Sequence, residues 1–486
     1  EATATLITAL DPKALALVDP WKIDDASKSR AFAPKIDDDD LVKAEAEVRT
    51  SFEKREGISF VKSPSRDALG AMPDASLDWI YLDGCNYFLE LLADLERALS
   101  LLKPGGNILG GGWDWGPQLG FPVRAAVNAL ADRISPRPEI VTDGTYYALL
   151  LDPEFKLAAR PKKPSFLVVS TMKNEAPFIL EWVAHYQALG FSDFLIYTND
   201  CDDMTVPLLD PLTEQGIVRH EPNHVLRRGP HKSALKYAQD HWLFAQAEWV
   251  LICDVDEFLN LQNHETIQDY LASLPADTDM VTFPWNVFGC GGVLEFNDEP
   301  VTEQFLRCEL SVHDGGVEPR DIKTIFRRPN EIDRIGLHRP RFKDNRASGF
   351  VWRTPNGTDI SAVMNTTAKA KSDWSAAQNS AYMNHYPIRA VESYLVKKLR
   401  GRANHFKHDL GEEYFFRWNL NNAKDTSISK FEAARGAAQT ALLADAKTAS
   451  LHKDGAESMR EQIATLMKDP IYRELYDTIT SAPRPR

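Results

Sequence analysis

The sequence has no apolar run that could cross a membrane, and it has few cysteines. No stretch of its 486 residues approaches the ~20 consecutive apolar residues that span a bilayer, and the apolar run 249–253 is followed at once by Asp254. The five cysteines are scattered and form no CxxC or Cys/His metal spacing. We therefore expect a cytoplasmic protein without a transmembrane segment, and leave open an association with the inner face of a membrane.

The sequence has fewer basic residues than acidic residues. There are 56 Lys and Arg residues against 70 Asp and Glu residues, a net charge of −14, so we expect no nucleic acid partner. The chain is longer than the roughly 250 to 300 residues at which one hydrophobic core stops growing, which predicts two or three domains. It begins at Glu1, inside a segment of helical character that lacks the pattern of a signal peptide, so we expect upstream residues to be missing.

Apolar runs of strand length alternate with amphipathic helical stretches. This pattern predicts an α/β fold with two doubly wound sheet domains. Three prolines and a basic cluster within residues 151–165 indicate a boundary between a first domain, 1–155, and a second, 164–400. Residues 401–486 are alanine-rich, charged and helical in period, which predicts a helical extension. Because its charge is mixed, three arrangements stay open for this extension. It could pack on the second domain, pair with another subunit or dock on a membrane complex.

Acidic residues follow short apolar strands in the second domain. Glu175 comes after the run 166–170, and Asp200 comes after the run 194–197. Asp254 follows the continuous apolar run 249–253. Because open α/β sheets bind ligands at the carboxyl ends of their strands, these positions predict one edge of a site.

The end of the third of these strands is the most acidic. Asp254, Asp256 and Glu257 place three carboxylates within four positions. Such groups repel one another and are costly to desolvate, so we expect them to hold a divalent cation. A DxD pattern alone is more often a solvated strand end. Here the apolar run 249–253, which predicts a buried strand directly before the DxD residues, favours a metal site.

With these residues in view, the second domain resembles a nucleotide-sugar-dependent glycosyltransferase of the GT-A type, near the family-2-like and galactan-synthase-like groups. The matching pieces, in order, are KNE 173–175, EWVAHYQALG 181–190, YTNDCDD 197–203, DVDEF 254–258, FPWNVFGCGG 283–292, KTIFR 323–327, GLHRP 336–340 and NHYPIRAVESYLVKKLRG 384–401. The resemblance implies Mn²⁺ or Mg²⁺ on the DxD carboxylates, a nucleotide-sugar donor with UDP-sugars favoured, a glycan or glycoconjugate acceptor, and transfer with inversion.

The resemblance also implies roles for individual residues. The expected metal ligands are Asp254, Asp256, His338 and His385. The expected contacts to the nucleotide sugar are Glu175, Asp200, Asp254 and Lys323. Further basic residues that could face a diphosphate are Arg327, Lys397 and Arg400. Helix capping stays open for the strand-end acids, and a purely structural role stays open for each histidine.

The acceptor side is less defined. Trp285 and Phe288 are expected there because sugars present apolar faces to aromatic rings, with core packing as the alternative. Inversion needs a carboxylate base near the acceptor hydroxyl, and Asp314 is one candidate among several acids between Glu295 and Asp321.

The first domain resembles the later half of a class I S-adenosylmethionine methyltransferase. A strand at 79–82 ends in Asp83, a helix follows at 87–101, and LKPGG at 102–106 predicts a turn into the next strand. The resemblance implies cofactor contacts at Asp83 and at Asp19, which follows another strand. However, no glycine-rich segment precedes Asp19. We therefore hold S-adenosylmethionine as a second, less expected cofactor.

Three functions remain open at this point. The first is metal-dependent sugar transfer. We rank it ahead because each strand that is expected to end at the site of the second domain is followed by polar residues. The second is methylation of a glycan, with the second domain as a binding module. The third treats both domains as scaffolds in a polysaccharide machine.

Overall fold

The computed structural model describes residues 2–23, 30, 32, 37–160, 165–310, 319–327, 332–342, 349–365, 371–373, 380–401 and 410–481. The chain forms two compact units. The first unit consists of residues 1–162 and 240–245, and the second unit consists of residues 163–239 and 246–486. Both combine strands with helices, so the α/β class predicted from the sequence is confirmed.

The first unit alternates helices with short strands. Its helices are α1 (Ala2–Leu10), α2 (Asp38–Phe52), α3 (Ser65–Ala71), α4 (Phe88–Leu101) and α5 (Pro122–Ala131). Its strands are β1 (Leu15–Val18), β2 (Ile58–Val61), β3 (Leu77–Leu82), β4 (Leu102–Gly110), β5 (Ile134–Ser135), β6 (Glu139–Thr142), β7 (Tyr147–Leu150) and β8 (Lys156–Leu157). A short 3-10 helix lies at Pro117–Leu119.

The strands of the first unit form separate small sheets. β1 and β2 pair in parallel, and a four-stranded sheet has the order β3-β4-β7-β6 with β3 and β4 parallel. The predicted turn at 102–106 lies within β4 instead. Gly105 has a φ of +81°, and the β3–β4 register shifts after Leu77, so the extra residues are accommodated as an irregularity of the strand.

The second unit contains the longer sheet. Its helices are α6 (Ile179–Ala188), α7 (Thr205–Glu214), α8 (Pro230–Asp240), α9 (Trp242–Gln246), α10 (Ile267–Ala272), α11 (Val301–Gln304), α12 (Ser361–Met364), α13 (Val391–Arg400), α14 (Glu412–Trp418), α15 (Glu432–Leu443), α16 (Ala446–Leu466) and α17 (Pro470–Ser481). Asp240 at the end of α8 and residues 242–245 of α9 belong to the first unit. Short 3-10 helices also lie at Ala176–Phe178 and Ser427–Phe431.

Its strands are β9 (Phe166–Met172), β10 (Asp193–Thr198), β11 (Arg219–Pro222), β12 (Trp249–Ile252), β13 (Glu257–Leu261), β14 (Met280–Val287), β15 (Arg307–Cys308), β16 (Pro319–Arg327), β17 (Trp352–Arg353), β18 (Lys371–Asp373), β19 (Ala381–His385) and β20 (Ala423–Lys424). The main sheet has the order β11-β10-β9-β12-β16-β14-β19-β13. The strands from β11 to β12 run parallel, and β16 then pairs antiparallel with β12. The sheet is therefore mixed, and the strands of its parallel part come first in the sequence.

The helices at the end of the chain pack on the second unit. Leu442, Ile463 and Leu466 belong to the same buried cluster as Ile179 and Val183 of α6. The structure thus shows the first of the three arrangements left open for this extension. None of the helices in the described part of the chain combines the length and apolarity of a membrane span.

His185 of α6 is a fully buried titratable group in this core. Its Nε2 lies 2.9 Å from the carbonyl oxygen of Leu259, and its ring meets those of Tyr186, Phe258 and Phe431 edge to face. Burial, aided by the charge of Arg435, lowers the pKa of His185 to about 3. The folded protein therefore keeps this imidazole neutral.

We expect this histidine to make stability fall on acidification. As the pH drops below 6.5, the unfolded chain takes up a proton that folded His185 refuses until about pH 3. Each pH unit in that window then costs up to ~1.4 kcal/mol of unfolding free energy. In urea denaturation across this range, His185→Phe should show a shallower pH dependence than the wild type. The same substitution at the exposed His224 should keep the wild-type slope, and equal slopes for the His185 variant and the wild type would contradict the prediction.

Candidate functional site

The carboxyl ends of β9, β10 and β12 lie at one edge of the main sheet. The register pairs Met172 with Thr198 and Val169 with Ile252, so the three strands end near the same level. Glu175, Asp200 and Asp254 follow these ends, and the structure thus brings the three predicted strand-end acids to one edge. Asp200 itself is exposed and has a φ of +49°, a conformation that aspartate tolerates better than most residues.

A buried lysine pairs two of the three clustered acids. The Nζ of Lys323 lies 2.9 Å from Asp254 Oδ2 and 2.9 Å from Glu257 Oε2. Glu257 Oε2 also accepts a hydrogen bond from the backbone nitrogen of Asp254 at 2.8 Å. Lys323 and Glu257 are fully buried, whereas the Asp254 side chain is 26% exposed. Only Asp254 of this trio is therefore open to a ligand.

The charges of this trio are strongly coupled. Burial opposes the ionisation of Asp254, but the Lys323 ammonium outweighs it and lowers the pKa of Asp254. Burial and the neighbouring carboxylates raise the pKa of Glu257 to about 8, despite Lys323. Burial also works against the charge of Lys323, and the two acids nonetheless raise its pKa. The trio is thus held together by one ammonium between two carboxyl groups.

Asp256 has different partners. Its Oδ2 accepts a hydrogen bond from Lys397 Nζ at 3.0 Å, and its Oδ1 lies 3.8 Å from His385 Nε2. Burial would raise the pKa of Asp256, but Lys397, His385 and Arg389 hold it well below its ordinary value. Burial lowers the pKa of His385 to about 4. An ionised carboxylate therefore faces a neutral imidazole.

Glu175 is clamped by two arginines. Its carboxylate accepts a hydrogen bond from Arg389 at 3.0 Å and pairs with Arg400. It makes no capping bond to the 3-10 helix that follows, so capping does not explain this residue. Arg389 also donates to the carbonyl oxygen of Val255 at 3.3 Å. The Glu175 pair is thereby connected to the loop between Asp254 and Asp256.

A pocket opens between these groups. Its lining includes Glu175, Arg389, Lys397, Arg400 and Met459. Three of these side chains are cations, against one acid within the lining. A pocket with this excess of positive charge suits a phosphate-bearing ligand.

Aromatic rings lie next to His385. The ring of Trp285 is 4.2 Å from that of His385 and 5.5 Å from that of His338. Trp418 of α14 lies 5.9 Å from His385 and 6.2 Å from Trp285. Trp285 and Trp418 are both partly exposed. They offer ring surface beside the acidic cluster.

His338 contacts the backbone and an aromatic ring. Its Nδ1 lies 3.0 Å from the carbonyl oxygen of Ile322, and its ring is 5.5 Å from that of Trp285. Its role as a metal ligand stays a prediction.

Three further expectations fall elsewhere. Phe288 is 1% exposed and packs against Tyr386, so its ring is part of the core and presents no face to an acceptor. Arg327 pairs in register with Trp249 at the start of β12, at the end opposite to Asp254. Asp314 lies outside the described residues.

Arg389 and Trp418 are not among the residues that the sequence predicts for this site. Arg389 has no distinctive sequence signal, because a basic residue after a strand usually belongs to the solvated surface. Its contacts with Glu175 and Val255 in the structure distinguish it from such surface residues. Trp418 is 133 positions after Trp285, and no spacing rule connects them. The signal in the sequence is a tryptophan within the charged helical extension.

The acids of the first unit end different sheets. Asp19 follows β1 and accepts a hydrogen bond from the Trp21 nitrogen at 2.6 Å. Asp83 follows β3 and accepts one from the Tyr81 hydroxyl at 2.9 Å. Since β1 and β3 belong to separate sheets, strand pairing does not join the two acids. Their cofactor roles stay predictions.

Comparison with known proteins places this geometry in a family. The sequence profile of glycosyltransferase family 92 matches residues 164–435, more than half of the chain. The chain belongs to glycosyltransferase family 92. The match includes Glu175, the DVDE segment, Lys323 and His385, and it ends before α16.

Family 92 relatives in plants share part of the sequence. The chain is 27% identical over 120 residues to a family 92 protein of Oryza sativa subsp. japonica, covering 24% of this chain and 20% of that protein. It is 31% identical over 127 residues to a family 92 protein of Ricinus communis, covering 25% and 21%. The aligned part thus spans about a fifth of the length of these relatives.

Solved structures with partial likeness include S. aureus TarS in complex with UDP-GlcNAc, at 17% identity and a TM-score of 0.21 over 34% of this chain and 45% of that one. HddC from Yersinia pseudotuberculosis has 12% identity and a TM-score of 0.22 over 41% of this chain and 96% of that one. Sequence membership in family 92, rather than these structures, identifies the second unit.

We expect Lys323→Met to destabilise the protein by ~3–5 kcal/mol, because it leaves Asp254 and Glu257 facing each other without a cation. The loss should be smaller at mildly acidic pH, where the freed carboxylates can take up protons. Urea denaturation at neutral and acidic pH measures both effects. Lys468→Met, at an exposed position just after the end of α16, is the matched control. Equal stability of the two variants would show that the buried ammonium is dispensable.

Proposed function

We propose that the second unit transfers a sugar from a nucleotide-sugar donor to a glycan or glycoconjugate acceptor, with Mn²⁺ or Mg²⁺ as its cofactor. The observation that carries this proposal is the pair formed by ionised Asp256 and neutral His385 at the carboxyl edge of a family 92 domain. Both groups present oxygen or nitrogen lone pairs to the same space.

The pair fits a divalent cation. Two ligands bound at about 2.1 Å to one ion lie ~3 to ~4 Å apart, and Asp256 Oδ1 and His385 Nε2 are 3.8 Å apart. The other Asp256 oxygen is occupied by Lys397. No group of three or more acidic, histidine or cysteine side chains in the described ranges could hold a metal ion. The protein would therefore supply two ligands, and the donor's diphosphate would supply others.

The chemistry of such a cation is charge neutralisation on the departing nucleoside diphosphate. The residues of this chain share that task. Lys397 contacts Asp256 and lines the pocket, together with Arg389 and Arg400. Their positive charges would hold the diphosphate beside the cation site and stabilise it as it leaves.

The strand-end acids divide the remaining roles. Two arginines bind the Glu175 carboxylate, so we propose that it orders them rather than accepting hydrogen bonds from the nucleoside. Asp200 is exposed at the same edge and is the better candidate for the base or ribose. Asp254 retains an exposed fraction beside Lys323, which suits a contact to the donor.

The acceptor would approach from the aromatic side. Trp285 and Trp418 expose ring surface next to His385, and apolar faces of sugars stack on such rings. Transfer with inversion requires a carboxylate base there, and Asp314 remains our candidate. UDP-sugars are the donors to test first, as the family resemblance favours them.

Methylation of a glycan is the second candidate function. It rests on the parallel ends of β3 and β4, where a Cβ on Gly111 would lie 2.5 Å from Asp83 Oδ1. Backbone and carboxylate thus approach closely at the kind of strand end that binds ligands in open α/β sheets. S-adenosylmethionine is the ligand that the resemblance implies.

We expect Asp256→Asn to lose at least ~10²-fold in sugar transfer, because the cation loses its charged ligand. His385→Ala should instead raise the Mn²⁺ concentration needed for half-maximal rate. The measurement is hydrolysis and transfer with UDP-, GDP- and dTDP-sugars, over a titration of Mn²⁺. Asp477→Asn, on the exposed face of α17, is the control that should keep full activity.

Two outcomes would contradict the proposal. The first is a rate that is unaffected by chelation and by Asp256→Asn. The second is a lack of response to every nucleotide sugar together with a thermal shift by S-adenosylmethionine, which at 100 times its dissociation constant should stabilise the protein by ~2.7 kcal/mol. That result would make the first unit the enzyme.

A further inference from the structure

Helix α16 lies outside the family match and yet reaches the candidate pocket. The match ends at residue 435, and α16 spans Ala446–Leu466. It packs against the 3-10 helix Ala176–Phe178, against α7 and against α13. The 3-10 helix directly follows Glu175, and α13 carries Lys397. One helix therefore supports two walls of the pocket.

The contact with the 3-10 helix depends on a glycine. A Cβ on Gly455 would lie 2.9 Å from the Cβ of Ala176 and 3.6 Å from that of Met204. Alanine is ordinarily the more stable residue inside a helix, but at this position its Cβ would have to displace Ala176. Gly436 of α15 offers the contrast, since no atom lies within 4 Å of its Cβ position.

A displacement at Ala176 would be transmitted to the acidic cluster. Ala176 is the chain neighbour of Glu175, whose carboxylate holds Arg389 and Arg400. Arg389 in turn donates to the carbonyl oxygen of Val255, between the two aspartates of the DxD pattern. The positions of both guanidinium groups thus depend on the position of the 3-10 helix, which is set by its packing against α16.

Met459 adds a second contact from the same helix. It is four residues after Gly455 and therefore on the same face of α16. Its side chain is 7% exposed and lines the pocket with Glu175, Arg389 and Lys397. A flexible thioether fills the irregular gap between these polar groups.

We infer that α16 is a positioning element of the donor pocket, with Gly455 and Met459 as its two positioning residues. Gly455 sets how closely α16 packs on Ala176 and so fixes the Glu175–Arg389–Arg400 cluster. Met459 closes the wall beside that cluster. The inference rests on the proposed function, because it assigns this pocket to the nucleotide diphosphate.

The test compares two alanine substitutions at helix glycines. Gly455→Ala should weaken the binding of UDP in the presence of Mn²⁺ by about tenfold, since a shift of a few tenths of an ångström misplaces the cationic cluster. Gly436→Ala should bind UDP as the wild type does. Isothermal titration gives the affinities, and steady-state kinetics should show a raised KM for the donor with little change in kcat. Folded Gly455→Ala with wild-type affinity and KM would overturn the inference.

A second pair of variants covers failure of Gly455→Ala to fold. Met459→Ala should raise the donor KM, and Met459→Leu, which keeps the volume, should restore it. Unchanged KM values in Met459→Ala would overturn the inference. If Met459 had only a structural role, each Met459 variant would lose activity in proportion to its loss of melting temperature. The KM for the donor would then stay at the wild-type value.

Failure of the proposed function can be recognised separately. A wild type that binds neither UDP nor GDP would refute that function. Amide hydrogen exchange over residues 173–178 then decides the positioning role. Faster exchange there in Gly455→Ala than in Gly436→Ala would support it, and equal exchange would overturn it.

Discussion

Three carboxyl groups lie within four consecutive positions after β12, and they can lie so close together in largely buried surroundings because other elements supply cations to them. Lys323 on β16 bridges Asp254 and Glu257, while Lys397 on α13 binds Asp256. Without these partners, repulsion and desolvation would force the acids to take up protons or to move into water. The acidic loop thus depends on the strand and the helix that carry the lysines.

Strand direction delivers the first of these cations. Because β16 runs antiparallel to β12, residues early in β16 lie beyond the end of β12. Lys323 therefore reaches Asp254, whereas Arg327 falls beside Trp249 at the far end. A parallel neighbour would have reversed the two. The change from the parallel to the antiparallel part of the sheet is what gives the acidic loop its ammonium.

Residues distant in the chain complete the pocket in layers. Arg389 and Arg400 hold Glu175 from one side, and α16 supports the same region from behind through Gly455. The family match includes the first layer and ends before the second. The charged groups around Glu175 therefore lie within the matched segment, whereas the helix that packs behind them lies outside it.

Local pattern in the sequence was enough to predict the α/β class, the strand ends and the acidic cluster. An apolar strand followed by carboxylates carries that information within a few residues, and the structure brings Glu175, Asp200 and Asp254 to one edge. Ordered motifs over more than half of the chain gave a resemblance to GT-A glycosyltransferases near the family-2-like and galactan-synthase-like groups, and the profile match then showed family 92. The turn predicted at 102–106 lies within β4 in the structure, because Leu102 and Asn107 both pair with β3 and the residues between them form an irregularity of the strand.

Tertiary structure alone decided which groups meet. Whether Phe288 faced a ligand or the core depended on its packing against Tyr386, which no periodicity specifies. The pairing of Arg389 with Glu175 joins residues more than 200 positions apart, and the approach of α16 to Ala176 joins residues still farther apart. Sequence pattern determines local elements because it acts through neighbouring residues. The charge partners of a buried site are set by how those elements pack.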